Sequence, residues 1–368
     1  MRKAINLLQN FTQNVKNAVR IAKFLSIEHR VNVFILIKDC FVNYLKYRII
    51  GTSIRIDASN ICQLRCPLCW QSRVENTTFK RAYLKFDDFK KFIDNHPTFK
   101  NIELSDNGEI FLNPELKSII KYAYERKINL KARNGVNLNT VSEEVLECLV
   151  KYKFKVMLVS IDGATNESYQ IYRRGGNFGK VIENIKKINY FKHEYNTEFP
   201  RLIWQFIIFG HNEKELPVAR EMAKKLNMRF SPILNYFDPS YSPVKDREFI
   251  RKEIKYASCR EYENMNKSLY VFPCQQLWFS PQISPDGEML GCCDNNSRLA
   301  MFTFGNVFRS GLKKPLRSEK FIYTKKMLLG KKSLREDTLC FSCETYQKLQ
   351  SPKINLVTSF LEILKRFI

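Results

Sequence analysis

Between residues 53 and 234 the hydrophobic pattern switches repeatedly between two periods, and this alternation leaves the chain very few folds to adopt. Six short β-rich runs stand out: Ser53 to Asp57, Asn101 to Asp106, Ile128 to Arg133, Val156 to Asp162, Leu202 to Phe209 and Met228 to Ile233. Between them, Lys85 to Asn95, Pro114 to Arg126, Ser142 to Tyr152, Gly179 to Lys192 and Glu213 to Leu226 carry apolar residues every three or four positions, as amphipathic helices do. Strand and helix in strict alternation bury both faces of a parallel sheet. The expected class is therefore α/β, a partial (β/α)6 TIM-like barrel, in which chemistry sits at the carboxyl ends of the strands.

The pattern dissolves around residues 236 to 272 into FDPSYSPVKDREF and a charged stretch, and beyond it come short turn-rich runs with five more cysteines. The expected organisation is a helical extension over 1–50, the barrel over 51–235, a linker and a small cysteine-bearing domain over 236–350, and an amphipathic helix over 351–368. In that last helix Leu356, Phe360, Leu364 and Phe367 share a face, which suits docking on the protein or peripheral contact with a membrane. Phe24, Val33, Phe34 and Leu36 invite the same reading near the start.

With 368 residues and 44% apolar composition the chain can bury a large core. Its 61 basic against 37 acidic residues give a formal charge of +24, spread along the whole length, which suits an acidic or phosphorylated partner or an anionic surface. The opening MRKAINLLQNFTQN lacks the apolar core and cleavage site of a secretory signal, so a cytoplasmic setting is expected. In a reducing compartment 11 cysteines read as metal ligands before disulfides. No stretch approaches the ~20 apolar residues that span a bilayer.

The loop after the first strand reads NICQLRCPLCWQ, spacing Cys62, Cys66 and Cys69 as C-x3-C-x2-C. Three thiolates hold three corners of a four-iron cubane and leave the fourth iron open to an outside ligand. Structural zinc instead needs a closed set of four, and no fourth Cys or His lies nearby in the sequence. Cys40 and Cys148 lie on apolar helical faces and read as core residues.

This loop, with the segments that follow, resembles the radical S-adenosylmethionine (radical SAM) superfamily, in its branch with a SPASM or twitch C-terminal domain; the likeness runs from about residue 53 to residue 343. Asp106-Asn107-Gly108-Glu109 is similar to the family's glycine-glutamate motif, which implies that Gly108 lets backbone approach the methionine moiety and Glu109 accepts its ammonium. Ser160-Ile161-Asp162-Gly163 and the following ATNESYQIYRRGGNF resemble the segment that holds the ribose and the methionine carboxylate, pointing to Ser160 and to Arg173, with Arg174 as the alternative. WQFIIFGHNEKEL resembles the segment packing on the adenine, with Asn212 as its hydrogen-bonding partner. The chain departs from the family at Leu68, where an aromatic often precedes the third cysteine, and at Ala132-Arg133-Asn134-Gly135, where Thr-Asn-Gly is usual.

Cys274, Cys292 and the pair Cys340 and Cys343 match the twitch arrangement, two ligands around a hairpin turning at Pro285-Asp286-Gly287 and then a distant C-x2-C. They imply one auxiliary 4Fe-4S cluster; zinc is the alternative occupant, and Cys259 and Cys293 are substitute ligands. The expected cofactors are thus a 4Fe-4S cluster that binds S-adenosylmethionine, S-adenosylmethionine itself and the auxiliary cluster. The resemblance implies reductive cleavage to a 5'-deoxyadenosyl radical and hydrogen abstraction from a peptide or a sugar, fed by an electron donor of flavodoxin or ferredoxin type. No DNA partner is expected. A non-catalytic iron-sulfur or zinc protein and an RNA-modifying radical enzyme are the rival readings.

Overall fold

Strand β1 (Ser53–Ile56) shows how pattern becomes architecture: Ile54 and Ile56 are fully buried while Ser53 and Arg55 are half-buried, the alternation of a pleated strand with two unlike faces. The computed structural model describes residues 52–69, 72, 80–265, 274, 276–277, 280–291, 303–328, 331–343 and 346, all within a unit that begins at Gly51. After β1 come α1 (Phe86–Asn95), β2 (Asn101–Glu103), α2 (Leu116–Glu125), β3 (Asn129–Val136), α3 (Glu143–Lys151), β4 (Val156–Ser160), α4 (Asn166–Tyr172) and α5 (Phe178–Glu194). β5 (Arg201–Ile208), α6 (Leu216–Lys225) and β6 (Arg229–Leu234) complete the repeat. Later elements include α7 (Arg247–Ile254), β7 (Gln282–Ile283) and α8 (Glu319–Leu328).

Hydrogen bonding among the described residues gives one parallel sheet in the order β6-β5-β4-β3-β2-β1-β7. The helices lie in the crossovers, and each buries the stripe its sequence promised, as α1 does with Phe89, Phe92 and Ile93. β5 is buried along almost its whole length, with Trp204 and Phe206 fully covered, as expected for an inner strand of a sheet packed on both faces. This is the expected α/β repeat, an open barrel whose strands all end on the same side.

Two elements were not anticipated. Helix α4 is too short for a periodic signal and is set by a capping box in which Thr165 and Ser168 exchange hydrogen bonds. The seventh strand, β7, is two residues long and comes from the cysteine-rich C-terminal segment, so the six-strand expectation is corrected to seven. The expected hairpin follows it, with Ile283 bridged to Met289 and Gly287 at φ +93° in the turn. The segments 1–50 and 351–368 and residues Cys292 and Cys293 lie outside the described residues.

Side chains reinforce the β1–β7 seam. Oδ2 of Asp57, just past β1, accepts hydrogen bonds from Asn107 Nδ2 at 2.8 Å and from Gln282 Nε2 at 2.9 Å. Burial pushes the Asp57 carboxyl up to about 7, against the pull of these two amides and of Arg55. A carboxyl raised on folding is protonated more readily in the native state, so its contribution to stability falls as pH climbs from the ordinary carboxylate range to about 7. Gln282→Leu removes one of the two donors and is expected to cost ~1–3 kcal/mol in urea unfolding at about pH 8. At about pH 5, where native Asp57 keeps its proton, the loss should shrink; an equal loss at both pH values would contradict this account.

Candidate active site at the carboxyl ends of the strands

The C-x3-C-x2-C loop leaves β1 at the carboxyl end of the sheet. Leu64 and Leu68 anchor it, packing with Cys66 against Tyr172 of α4, Ile207 of β5 and Phe209, while Cys62 and Cys69 lie half-buried at the edge of this cluster. Leu68 thus fills with an aliphatic chain the slot where the family often has a ring. Backbone bonds close the loop, from Cys69 N to Cys66 O and from Arg65 N to Arg174 O, both at 3.0 Å. Burial pushes the Cys62 thiol up to about 12, with Glu109 and the two neighbouring cysteines adding to the effect. A thiol so reluctant to ionise gives up its proton when a metal cation takes its place. A cavity of about 820 Å³ opens beside the loop, with Arg65 and Arg174 in its lining.

The glycine-glutamate turn after β2 lies directly on this loop. Glu109 N donates to Ile61 O at 2.7 Å, and Gly108 sits at φ +68°, where a Cβ would come within 2.6 Å of Ser59 O and 2.7 Å of Ile61 N. The close approach that demands glycine here is to the backbone leading into the cysteine loop. Glu109 itself is 1% exposed, and its carboxylate accepts from Asn137 N at 2.7 Å and Phe111 N at 3.3 Å. Burial pushes it up to about 7, against those bonds and the charge of Arg173. An ionised carboxyl has only acceptor oxygens to offer, which suits an ammonium. Asn137, which the sequence reading missed, also directs its amide at Cys62 Sγ, 3.9 Å away. Its signal was positional: β3 continues past the expected Arg133 to Val136, with a register shift after Ala132, and so delivers Asn137 to the strand end.

The fourth and fifth strands supply the opposite charge. Ser160 Oγ donates to Gln205 Oε1 at 3.2 Å, across paired positions of β4 and β5. Asp162 is fully buried, accepting from Ile207 N at 2.6 Å through one oxygen and from Arg173 Nε at 2.5 Å through the other. Arg173 then points Nη1 at Cys66 Sγ, 3.6 Å away. Burial opposes the charge on this guanidinium, but Asp162 and Cys66 outweigh it and hold Arg173 well above its ordinary value. Burial also raises Asp162, with Arg173 pulling it back. The side chain of Arg174, the alternative, lies on the exposed side of the turn. Asn212 Nδ2 donates to Asp162 O at 3.0 Å and Ile207 O at 2.9 Å while Oδ1 accepts from Phe209 N at 2.8 Å, which ties the ends of β4 and β5 together.

In the C-terminal segment Cys274, Cys340 and Cys343 come within electrostatic reach of one another. Burial pushes the Cys340 thiol up to about 12, and Cys274 and Cys343 add to it. Lys325 of α8, also missed in the sequence, is 1% exposed; burial pushes its amine down to about 7 and Cys274 works against that. Cys148 is a buried core residue, as expected, and Cys259 opens the helix Cys259–Met265. Among the described residues no three His, Cys, Asp or Glu close on one point as a single metal ion requires. Zinc would gather four thiolates to about 2.3 Å from itself, whereas a cubane spreads its ligands over separate irons.

Residues 56–222 match the family described as the radical SAM superfamily, and residues 274–344 match SPASM, described as an iron-sulfur cluster-binding domain. Residues 56–222 thus belong to the radical SAM superfamily, joined to a SPASM domain. The two domains imply iron-sulfur clusters and S-adenosylmethionine as cofactors. A cysteine-type anaerobic sulfatase-maturating enzyme of Clostridium novyi is 24% identical over 242 residues, covering 60% of this chain and 58% of that protein, so the match spans little more than half of the relative's length. Streptococcus suis SuiB bound to its precursor peptide SuiA superposes with a TM-score of 0.60 at 13% identity, over 86% of this chain and 78% of that one. The S-adenosylmethionine-bound SuiB gives 0.58 at 14%, over 94% and 88%. These two show the shared fold.

The Asp162–Arg173 pair makes a sharp prediction. Arg173→Ala strands a fully buried carboxylate and is expected to lose ~3–5 kcal/mol of folding stability in denaturant titration. Adding Asp162→Asn should recover a large part of that loss; a double variant no more stable than Arg173→Ala alone would show that the two groups do not act together.

Proposed function

We propose that this radical SAM enzyme modifies a peptide, with Cys62, Cys66 and Cys69 holding the cluster that binds S-adenosylmethionine. The observation that carries the reading is that a buried carboxyl and a guanidinium both lie against the cysteine loop: Glu109 acts on Cys62, and Arg173 Nη1 lies 3.6 Å from Cys66 Sγ. The amino acid moiety of S-adenosylmethionine, with one basic and one acidic end, would be met by such a pair. When bound, the cluster and S-adenosylmethionine supply one-electron cleavage of a carbon-sulfur bond and a 5'-deoxyadenosyl radical that abstracts hydrogen. The chain's own residues bind and orient. Glu109 accepts from the ammonium, the Nη groups of Arg173 serve the carboxylate while Nε stays on Asp162, and Ser160 offers its hydroxyl to the ribose. Gly108 and Asn212 act indirectly, one seating the glutamate turn on the cysteine loop and the other fixing the backbone where the adenine packs.

A peptide is favoured over a sugar or RNA because the curated relative is named for maturing a protein and SuiB is described with a precursor peptide bound. An external donor of flavodoxin or ferredoxin type supplies the electron. Cys274, Cys292, Cys340 and Cys343 hold one auxiliary cluster; in support, Cys274 and Cys343 both act electrostatically on the buried Cys340 thiol.

Anaerobic reconstitution should load about eight irons per chain, and replacing Cys62, Cys66 and Cys69 together by Ala should remove about half and abolish formation of 5'-deoxyadenosine. Undiminished cleavage in the triple variant would end the proposal. Glu109→Gln should weaken S-adenosylmethionine binding about tenfold to hundredfold by calorimetry, the ~1.5–3 kcal/mol of a charge-assisted hydrogen bond, at unchanged iron content. Wild-type affinity would place the ammonium elsewhere.

A further inference from the structure

We infer that a small acidic electron-carrier protein docks on the cavity beside the cysteine loop, held by Arg65 and Arg174, and passes its electron to the cluster from there. The inference rests on the reading that Cys62, Cys66 and Cys69 hold that cluster. Successive residues of the loop face opposite ways: Leu64, Cys66 and Leu68 pack against Tyr172, Ile207 and Phe209, while Gln63, Arg65 and Pro67 line the cavity of about 820 Å³. Arg174 and Gly175 join them in its lining. Arg65 N donates to Arg174 O at 3.0 Å, and a Cβ on Gly175 would meet Gln63 O at 3.9 Å, so the turn after α4 lies directly along the loop. Both arginines are exposed, and among the described residues neither guanidinium has a carboxylate partner. Arg173 shows the contrast, with its charge spent inside on Asp162.

Two cations on one rim repel each other and favour an acidic visitor. The formal charge of +24 steers such a partner in from a distance. What kind of acid it is follows from the position. Glu109, Ser160 and Arg173 serve S-adenosylmethionine from the strand ends, on the side to which the loop turns Cys66, so hydrogen abstraction belongs to that side. A molecule in the cavity meets the other face of the loop, where Gln63, Arg65 and Pro67 are each the immediate neighbour of a cysteine ligand. That place serves electron exchange, which needs closeness to the irons and no contact with substrate, better than it serves a peptide that must reach the radical. The step is a single electron transfer: the reduced carrier loses one electron, the cluster gains it, and no bond forms or breaks.

The test uses the full reconstituted chain and reads 5'-deoxyadenosine, which reports only the cluster that binds S-adenosylmethionine. Electrons come from reduced flavodoxin or reduced ferredoxin, both acidic proteins, or from photoreduced 5-deazariboflavin, which is small and uncharged. Arg65→Glu with Arg174→Glu should slow whichever protein donor the wild-type chain accepts about tenfold or more at low ionic strength, with the gap closing as salt rises. The rate with deazariboflavin and the iron content should stay unchanged. A protein-donor rate equal to wild type, or a wild-type chain that accepts neither protein, overturns the inference and leaves the ligand reading standing. A wild-type chain that makes no 5'-deoxyadenosine even with deazariboflavin overturns both. Equal slowing with deazariboflavin would assign the arginines to S-adenosylmethionine and overturn docking. If the variant loses binding of a short polyglutamate peptide yet accepts electrons at the wild-type rate, the arginines serve an acidic peptide and the inference falls. Should charge reversal cost iron, Arg65→Gln with Arg174→Gln removes the charge without adding acid, and the same comparison of donors decides.

Discussion

Everything at the mouth of this barrel depends on a charge being kept out of water. Arg173 and Asp162 pair inside the protein, and from that pair run the contacts that define the site: Ile207 N to the carboxylate, Asn212 to the carbonyl of Asp162, and the guanidinium to Cys66. A buried ion pair is weak ground for stability, because desolvation consumes most of the attraction. Its value here is geometric. It fixes α4 against the ends of β4 and β5, and so fixes the wall on which Leu64 and Leu68 seat the cysteine loop. On the other side Glu109 is held by backbone donors alone, and the loop rests on it through Gly108. The thiols are thus framed by groups whose positions are set by the fold before any cofactor arrives, which is the preorganisation that cofactor chemistry demands.

Much of this was legible in the sequence, for a definite reason. The β/α repeat shows because strands and helices impose different periods, and the cysteine loop shows because its spacing is short-range. Glu109, Ser160 and Arg173 were found from family likeness, and the structure brings all three to the strand ends. What escaped were residues whose importance arises from long-range contact. Asp162 reads locally as a turn residue, yet its partners are 11 and 45 positions away. Asn137 depends on a strand running past its apparent end. The bonds of Asn212 to the backbone at Asp162, Ile207 and Phe209 escaped as well, because sequence cannot say which way an amide turns.

The C-terminal segment was legible as a cysteine pattern and illegible as structure. Two residues of β7 carry no periodicity, so nothing announced that Gln282 would join the barrel sheet and donate to Asp57. Lys325 was hidden for the opposite reason. It sits in a run of ordinary helical composition, with Lys326 beside it, and only packing distinguishes the lysine that is buried from the one that is not.

The β1–β7 pairing also carries a temporal consequence. Asp57 and Gln282 are 225 positions apart, so a ribosome adding about 5–20 residues per second makes the outer partner of β1 roughly 10–45 s after β1 itself. For that interval the nascent barrel presents an open strand edge, the surface most prone to pairing with another chain. It is also the edge that leads straight into the first cysteine loop. Nascent chains therefore pass through a stage in which Cys62, Cys66 and Cys69 are already made while the sheet beside them is still unfinished, an interval in which a chaperone or a cluster-delivering protein could reach the loop from that side.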